Sequence, residues 1–174
     1  MHETAEDIST LQQLLDRSFE SAGPHLRAII TPERRISAAD LVQRLTGMTL
    51  LVLATATADG RPIAGPVDGI FYRGSFHFGT SPEAVRWRHL RARPYVSATH
   101  LPAEQFAVTV HGKAASVDVR APESAGLRET LAEIYVPRYG PGWVEQFLDG
   151  GSDPARAPVY ARIEGERMFT FAIS

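Results

Sequence analysis

Near the start of the chain, apolar residues recur at helical spacing. Ile8, Leu11, Leu15 and Phe19 share one face, which predicts an amphipathic helix over 8–20, ended by Gly23-Pro24. A second, short helix is marked by its ends. Ser37 is placed to cap it, Asp40 lies in its first turn, Ile36 and Leu41 form a hydrophobic staple, and Gly47 stops it. The stretch between the two helices reads as a connection. From Met48 the pattern changes. Residues 48–57 (MTLLVLATAT) are apolar or β-branched on both faces, and Asp59-Gly60 is a strong hairpin turn, so 48–57 and 61–72 read as paired strands. Pro62 and Pro66 in the returning strand lack an amide donor. That places them on an edge, at a bulge or facing a ligand. Arg73-Gly74 marks the next turn and 75–80 the third strand.

Ser81-Pro82-Glu83 has the chemistry of a helix start, with a capping hydroxyl, a proline at the first position and an acid in the first turn. The predicted helix runs to about Arg91, and Pro94 ends it. Residues 95–100 and 106–119 read as strands, and 122–135 as a helix with Leu127, Leu131 and Ile134 on one face. A loop (137–142), one or two helical turns (143–148) and a Gly/Pro-rich connection (149–158) follow. The last segment, 159–173, is either one strand or a hairpin around Glu164-Gly165. Short hairpin connections exclude a parallel nucleotide-binding sheet. The economical fold is mainly β with flanking helices, an α+β chain built on a small antiparallel β-barrel.

Composition narrows the chemistry. The 174 residues suffice for one core, and the formal net charge of -2 gives no global attraction to nucleic acid or an anionic membrane. The absence of cysteine removes disulfides, thiolate catalysis and Cys-ligated metals. The acidic N-terminal stretch does not read as a signal peptide, and no apolar run is long enough for a membrane span, so a soluble, cytoplasmic protein is expected. His77, His89, His100 and His111 show no metal-binding spacing, and no metal site is expected. Neither a nucleophile elbow nor a P-loop is present.

The stretch 86–93 (RWRHLRAR) holds four arginines and a histidine with no acid among them. On a helix beginning at Ser81, the free amides of the first turn, the Thr80 and Ser81 hydroxyls, and Arg86 and Arg88 folding back would bind a monophosphate. Taken alone, the same arginines serve equally well as a solvated face. Asp68, beside Pro66 and Gly69, is the carboxylate best placed to face a ligand.

The order of these features is distinctive: Ala54-Thr55, Asp59-Gly60-Arg61-Pro62, Pro66, Thr80-Ser81, Arg86, His89-Leu90 and Pro94, then VTVHGKA at 108–114. It resembles the pyridoxamine 5′-phosphate oxidase-like family of FMN-binding split barrels, well over about 40–120 and loosely beyond. The resemblance implies an antiparallel split β-barrel over 37–174, preceded by a helical extension over 1–36. It also implies a homodimer with a flavin in each interfacial groove. FMN is the expected cofactor. The deazaflavin F420 is the alternative, its acidic tail reaching Arg88, Arg91 and Arg93. By resemblance, Arg86 takes the phosphate-binding position, with Gly79, Thr80 and Ser81 beside it. Pro66, Val67, Asp68 and Gly69 pass the ring, and Trp87, Arg88 and His89 complete the candidate set. His89 stands where asparagine is common, and the residues that grip pyridoxal phosphate in the true oxidase have no match. The implied activity is therefore oxidoreduction of a small organic molecule, with no catalytic acid or base nominated. A flavin- or haem-binding protein without turnover is the other reading.

Overall fold

The computed structural model describes residues 2–173. Helix α1 (Ala5–Glu20) opens with a full capping box between Thr4 and Asp7, and Leu11, Leu14 and Leu15 line its buried face. A short α2 (Pro24–Ile29) occupies the stretch read as a connection. Its start is a Gly-Pro step, which signals a helix end as readily as a beginning. Helix α3 (Ala38–Arg44) is capped by Ser37, whose hydroxyl accepts from the Asp40 amide at 3.1 Å.

Six antiparallel strands follow: β1 (Met48–Ala56), β2 (Pro62–Tyr72), β3 (Ser75–Thr80), β4 (Tyr95–Ala103), β5 (Phe106–Val117) and β6 (Val159–Ala172). They close into a barrel in the order β1-β2-β3-β6-β5-β4. The barrel is the architecture the hairpin pattern implies. Alternation does the sorting. Thr49, Leu51, Leu53 and Thr55 of β1 point inward while Leu50 and Val52 point out. Phe76, Phe78, Val108 and Val110 fill the interior, and α1 joins the same core across β6. Burying each such leucine or phenylalanine contributes about 1.5–3 kcal/mol. A buried hydrogen bond from the Met168 amide to the Ser18 hydroxyl (2.9 Å) fixes α1 on its own barrel.

Strand β6 is continuous. The ladder with β5 shifts between His111 and Gly112, where Glu166 is the extra residue of a bulge, and Glu164-Gly165 pairs with β5 and makes no turn. A Cβ on Gly112 would lie 2.0 Å from the Glu164 carbonyl oxygen, which is why glycine stands there.

Helix α1 starts three residues earlier than expected, and α4 and α5 differ further at their ends. Helix α4 (Val85–Ala92) begins at Val85 with Ala84 as its cap. The Ser81 hydroxyl instead accepts from the Glu83 amide at 3.2 Å, and the Ala84 amide donates to the Ser81 carbonyl at 3.0 Å. Ser-Pro-Glu thus closes a tight turn before the helix. Helix α5 (Ala125–Tyr139) starts after a turn at Pro122–Ser124 and continues through Pro137 to Gly140, whose φ is 100°. Three residues of the predicted loop, Pro137, Arg138 and Tyr139, are therefore in the helix's last turn.

Candidate functional site

Strand β2 pairs with β1 along Pro62–Ile70 but with β3 only along Gly69–Tyr72. Residues 62–68 therefore form an open edge, which is where Pro62 and Pro66 are tolerated. Next to this edge a cavity of about 530 Å³ opens. Asp68 enters it from the outer face of β2, Gly79 and Thr80 from the end of β3, and Ser81 from the following turn.

The opposite wall is aromatic. Tyr139, Tyr135, Trp143 and Phe147 form a stacked row with successive centroid distances of 6.0, 4.8 and 5.6 Å. The first two rings come from α5, and Phe147 from a single π-helical turn, Val144–Leu148. A bidentate pair, Arg128 to Asp149 at 2.8 and 2.7 Å, ties α5 to the end of that turn and holds the row in place. The Arg128 hydrogen bonds keep the Asp149 carboxyl below its ordinary range. Tyr160 of β6, directly opposite Gly79, completes the floor. A Cβ at Gly79 would stand 2.9 Å from the Tyr160 ring, so glycine is what lets the ring lie flat on β3. Burial, and secondly the Asp68 carboxylate, push both the Tyr135 and Tyr160 hydroxyls above the usual phenol range. Both remain neutral hydrogen-bonding groups at physiological pH.

The arginine helix packs on β1 and reaches the open edge through Arg86. Arg86 donates from Nη1 to the Pro66 carbonyl at 2.8 Å and passes close to Gly65. His89 shares a hydrogen bond with the Thr55 hydroxyl (2.9 Å), and Arg93 donates to the Ala56 carbonyl, so α4 is fixed to the end of β1. Trp87 packs on the barrel core and Arg88 is exposed. Of the sequence candidates, Asp68, Gly79, Thr80 and Ser81 line one cavity, and Arg86 and Pro66 meet at the edge beside it. Val67 packs inward and Gly69 is buried against Leu51, while Trp87, Arg88 and His89 lie outside the cavity lining. Tyr135, Tyr139, Trp143, Phe147, Arg156 and Tyr160 escaped the sequence reading. One signal was available: positions 135, 139, 143 and 147 are all aromatic at a constant spacing of four.

A closed six-stranded antiparallel barrel, with helices against one open strand edge and a groove beside it, defines the split-barrel class. The sequence pattern of the pyridoxamine 5′-phosphate oxidase family matches residues 38–165, and the chain belongs to that family. No curated protein matches it significantly. Among solved structures it is similar to a conserved hypothetical protein of Mycobacterium tuberculosis, at 20% identity and TM-score 0.63, covering 82% of this chain and 88% of that one. It is similar to the haem storage protein HutZ of Vibrio cholerae, at 22% identity and TM-score 0.57, over 76% and 91% of the two chains. It is also similar to an FAD-binding protein of Mesorhizobium loti, at 20% identity and TM-score 0.54, over 80% and 96%. At these identities the likeness is one of fold.

Proposed function

We propose that the protein is a homodimeric flavoprotein that binds FMN beside the open edge of β2 and oxidises or reduces a small organic molecule. The observation that carries the reading is the convergence of Asp68, Gly79, Thr80 and Ser81 on one cavity, next to the edge that Arg86 reaches. The donor set fits a flavin. Among the described residues the Thr80 hydroxyl has no hydrogen-bond partner. Arg86 uses Nη1 on Pro66 and keeps further N–H groups for a phosphate. On the free side of β2 the Asp68 peptide group offers a donor and an acceptor to the polar rim of a flat ring, while Pro66 has no N–H and its carbonyl is taken by Arg86. A flavin held there supplies hydride or electron transfer. The chain's own residues position it, and the aromatic row screens one side of the cavity from water.

The second protomer is argued from β1 and β4. Leu50, Val52 and Leu101 form an exposed apolar strip on their outer faces, continuous with Asp68 through the Leu50↔Asp68 pair. A second copy of the chain on this strip would close the groove. Sedimentation is expected to give a dimer, and Val52→Glu is expected to give a monomer.

The visible spectrum and mass of the co-purifying small molecule test the cofactor directly. A protein that is colourless as isolated and takes up no added FMN overturns the reading. Arg86→Ala is expected to weaken flavin binding by about 2–3 kcal/mol, measured by fluorescence titration. Parallel titration with F420 separates the deazaflavin alternative. Arg88 and Arg91 are exposed on α4 and free to meet an acidic tail, whereas Arg93 is committed to the Ala56 carbonyl.

A further inference from the structure

The cavity has a chemistry of its own beyond the cofactor's phosphate. Its far wall is a row of parallel rings, its floor is Tyr160, and its near wall carries the Asp68 carboxylate. Among the described residues Asp68 has no ion-pair partner. The one cation in the lining, Arg156, is paired with Asp153 at 3.5 Å. Arg138 sits over the Tyr139 ring at 5.7 Å and is not part of the lining. The field of Asp68 reaches the opposite side of the cavity, where it contributes to keeping Tyr135 and Tyr160 protonated. Among the described residues the lining therefore has aromatic faces on one side and, on the other, a carboxylate with no direct ion-pair partner.

We propose that this cavity selects a flat aromatic molecule bearing a positively charged nitrogen, which is the substrate class of the enzyme. The inference rests on the flavin reading in so far as it makes that molecule a substrate. The ring would stack against the row that ends at Phe147, as offset aromatic pairs do. Its charge would face Asp68 and the electron-rich faces of the tyrosines, an arrangement that favours a cation over a neutral ring. An anion of the same shape would meet Asp68 at a cost.

The test is a charge series of one shape on the flavin-loaded protein: N-methylquinolinium, quinoline and a quinoline carboxylate, titrated by calorimetry at neutral pH. The cation is expected to bind at least about tenfold more tightly than the neutral ring, with the anion weakest. Asp68→Asn is expected to remove the cation's advantage, and Phe147→Ala to weaken cation and neutral ring together. The proposal is overturned if the three probes bind alike, if the anion binds best, if none binds, or if the cation's advantage survives Asp68→Asn. Cofactor content is read separately from the visible absorbance. A protein without flavin defeats the functional reading, whereas a flavin-loaded protein that ignores probe charge defeats only this inference.

Discussion

The barrel interior and the aromatic row flank the same sheet, yet their apolar surface is used differently. Inside the barrel, Leu51, Phe76, Phe78 and Val108 are 0–1% exposed and touch other apolar side chains on every side. In the row, Trp143 is buried, but Tyr139 and Phe147 are 55% and 52% exposed. Rings so exposed return little folding energy, because burial of area is what stabilises. The interior holds the fold; the row holds a surface ready for something else. The inner rings, Tyr135 and Trp143, are buried in a second apolar cluster with Leu127, Leu131 and Leu148; it is the outer rings, Tyr139 and Phe147, that burial does not account for.

That contrast can be broken from either side. Phe76→Ala empties a fully buried site and is expected to cost about 3–5 kcal/mol in urea unfolding. His77 gives the next largest effect. It lies on the outer face of β3 beside Tyr72, donating from Nδ1 to the Ser75 carbonyl at 3.2 Å. Burial, assisted by the Arg162 charge, lowers its pKa from the ordinary 6.5 to about 4. Between those values the unfolded chain binds the extra proton and the folded one does not. Stability is thus complete above pH 6.5 and declines as the pH falls toward about 4, by up to about 3 kcal/mol. His77→Gln is expected to flatten that slope in denaturation curves taken across the range. Arg128→Ala cuts the tie that positions the row and is expected to cost about 1 kcal/mol, since the pair is partly solvated. Phe147→Ala is expected to change stability by less than about 0.5 kcal/mol. A large loss of stability in that last variant would make the row part of the core and remove the contrast.

Much of the fold was written in local chemistry. Ser37 caps α3, Asp59-Gly60 turns β1 into β2, and the two prolines of β2 mark an unpaired edge; each rests on the conformational preference of one or two residues. The misread boundary at Ser81 has the same origin. A hydroxyl followed by Pro-Glu satisfies a turn amide as well as a helix cap, and only packing decides where α4 begins. Half of the candidate site was legible for the same reason: Gly79, Thr80, Ser81 and Arg86 lie within one short segment. The aromatic wall was not, because stacking Tyr135 on Trp143 depends on α5 ending at Gly140 and on Arg128 reaching Asp149. Gly140 is a local stop signal, but the Arg128–Asp149 pair, which joins residues far apart in the chain, has no local sequence signature.

The open edge of β2 also bears on how the chain behaves in a crowded solution. A bare strand edge is a template to which another chain can add, and repeated addition makes fibres. In an antiparallel strand the N–H and C=O of one residue face the same side. The Pro66 carbonyl is taken by Arg86 on the free side, so the donor that proline lacks belongs to that side too, as does that of Pro62 four residues earlier. An incoming strand would find two donors missing and one acceptor already occupied. The same residues that leave room for a ligand thus refuse a foreign strand, and the groove can stay open without becoming a nucleus for polymerisation.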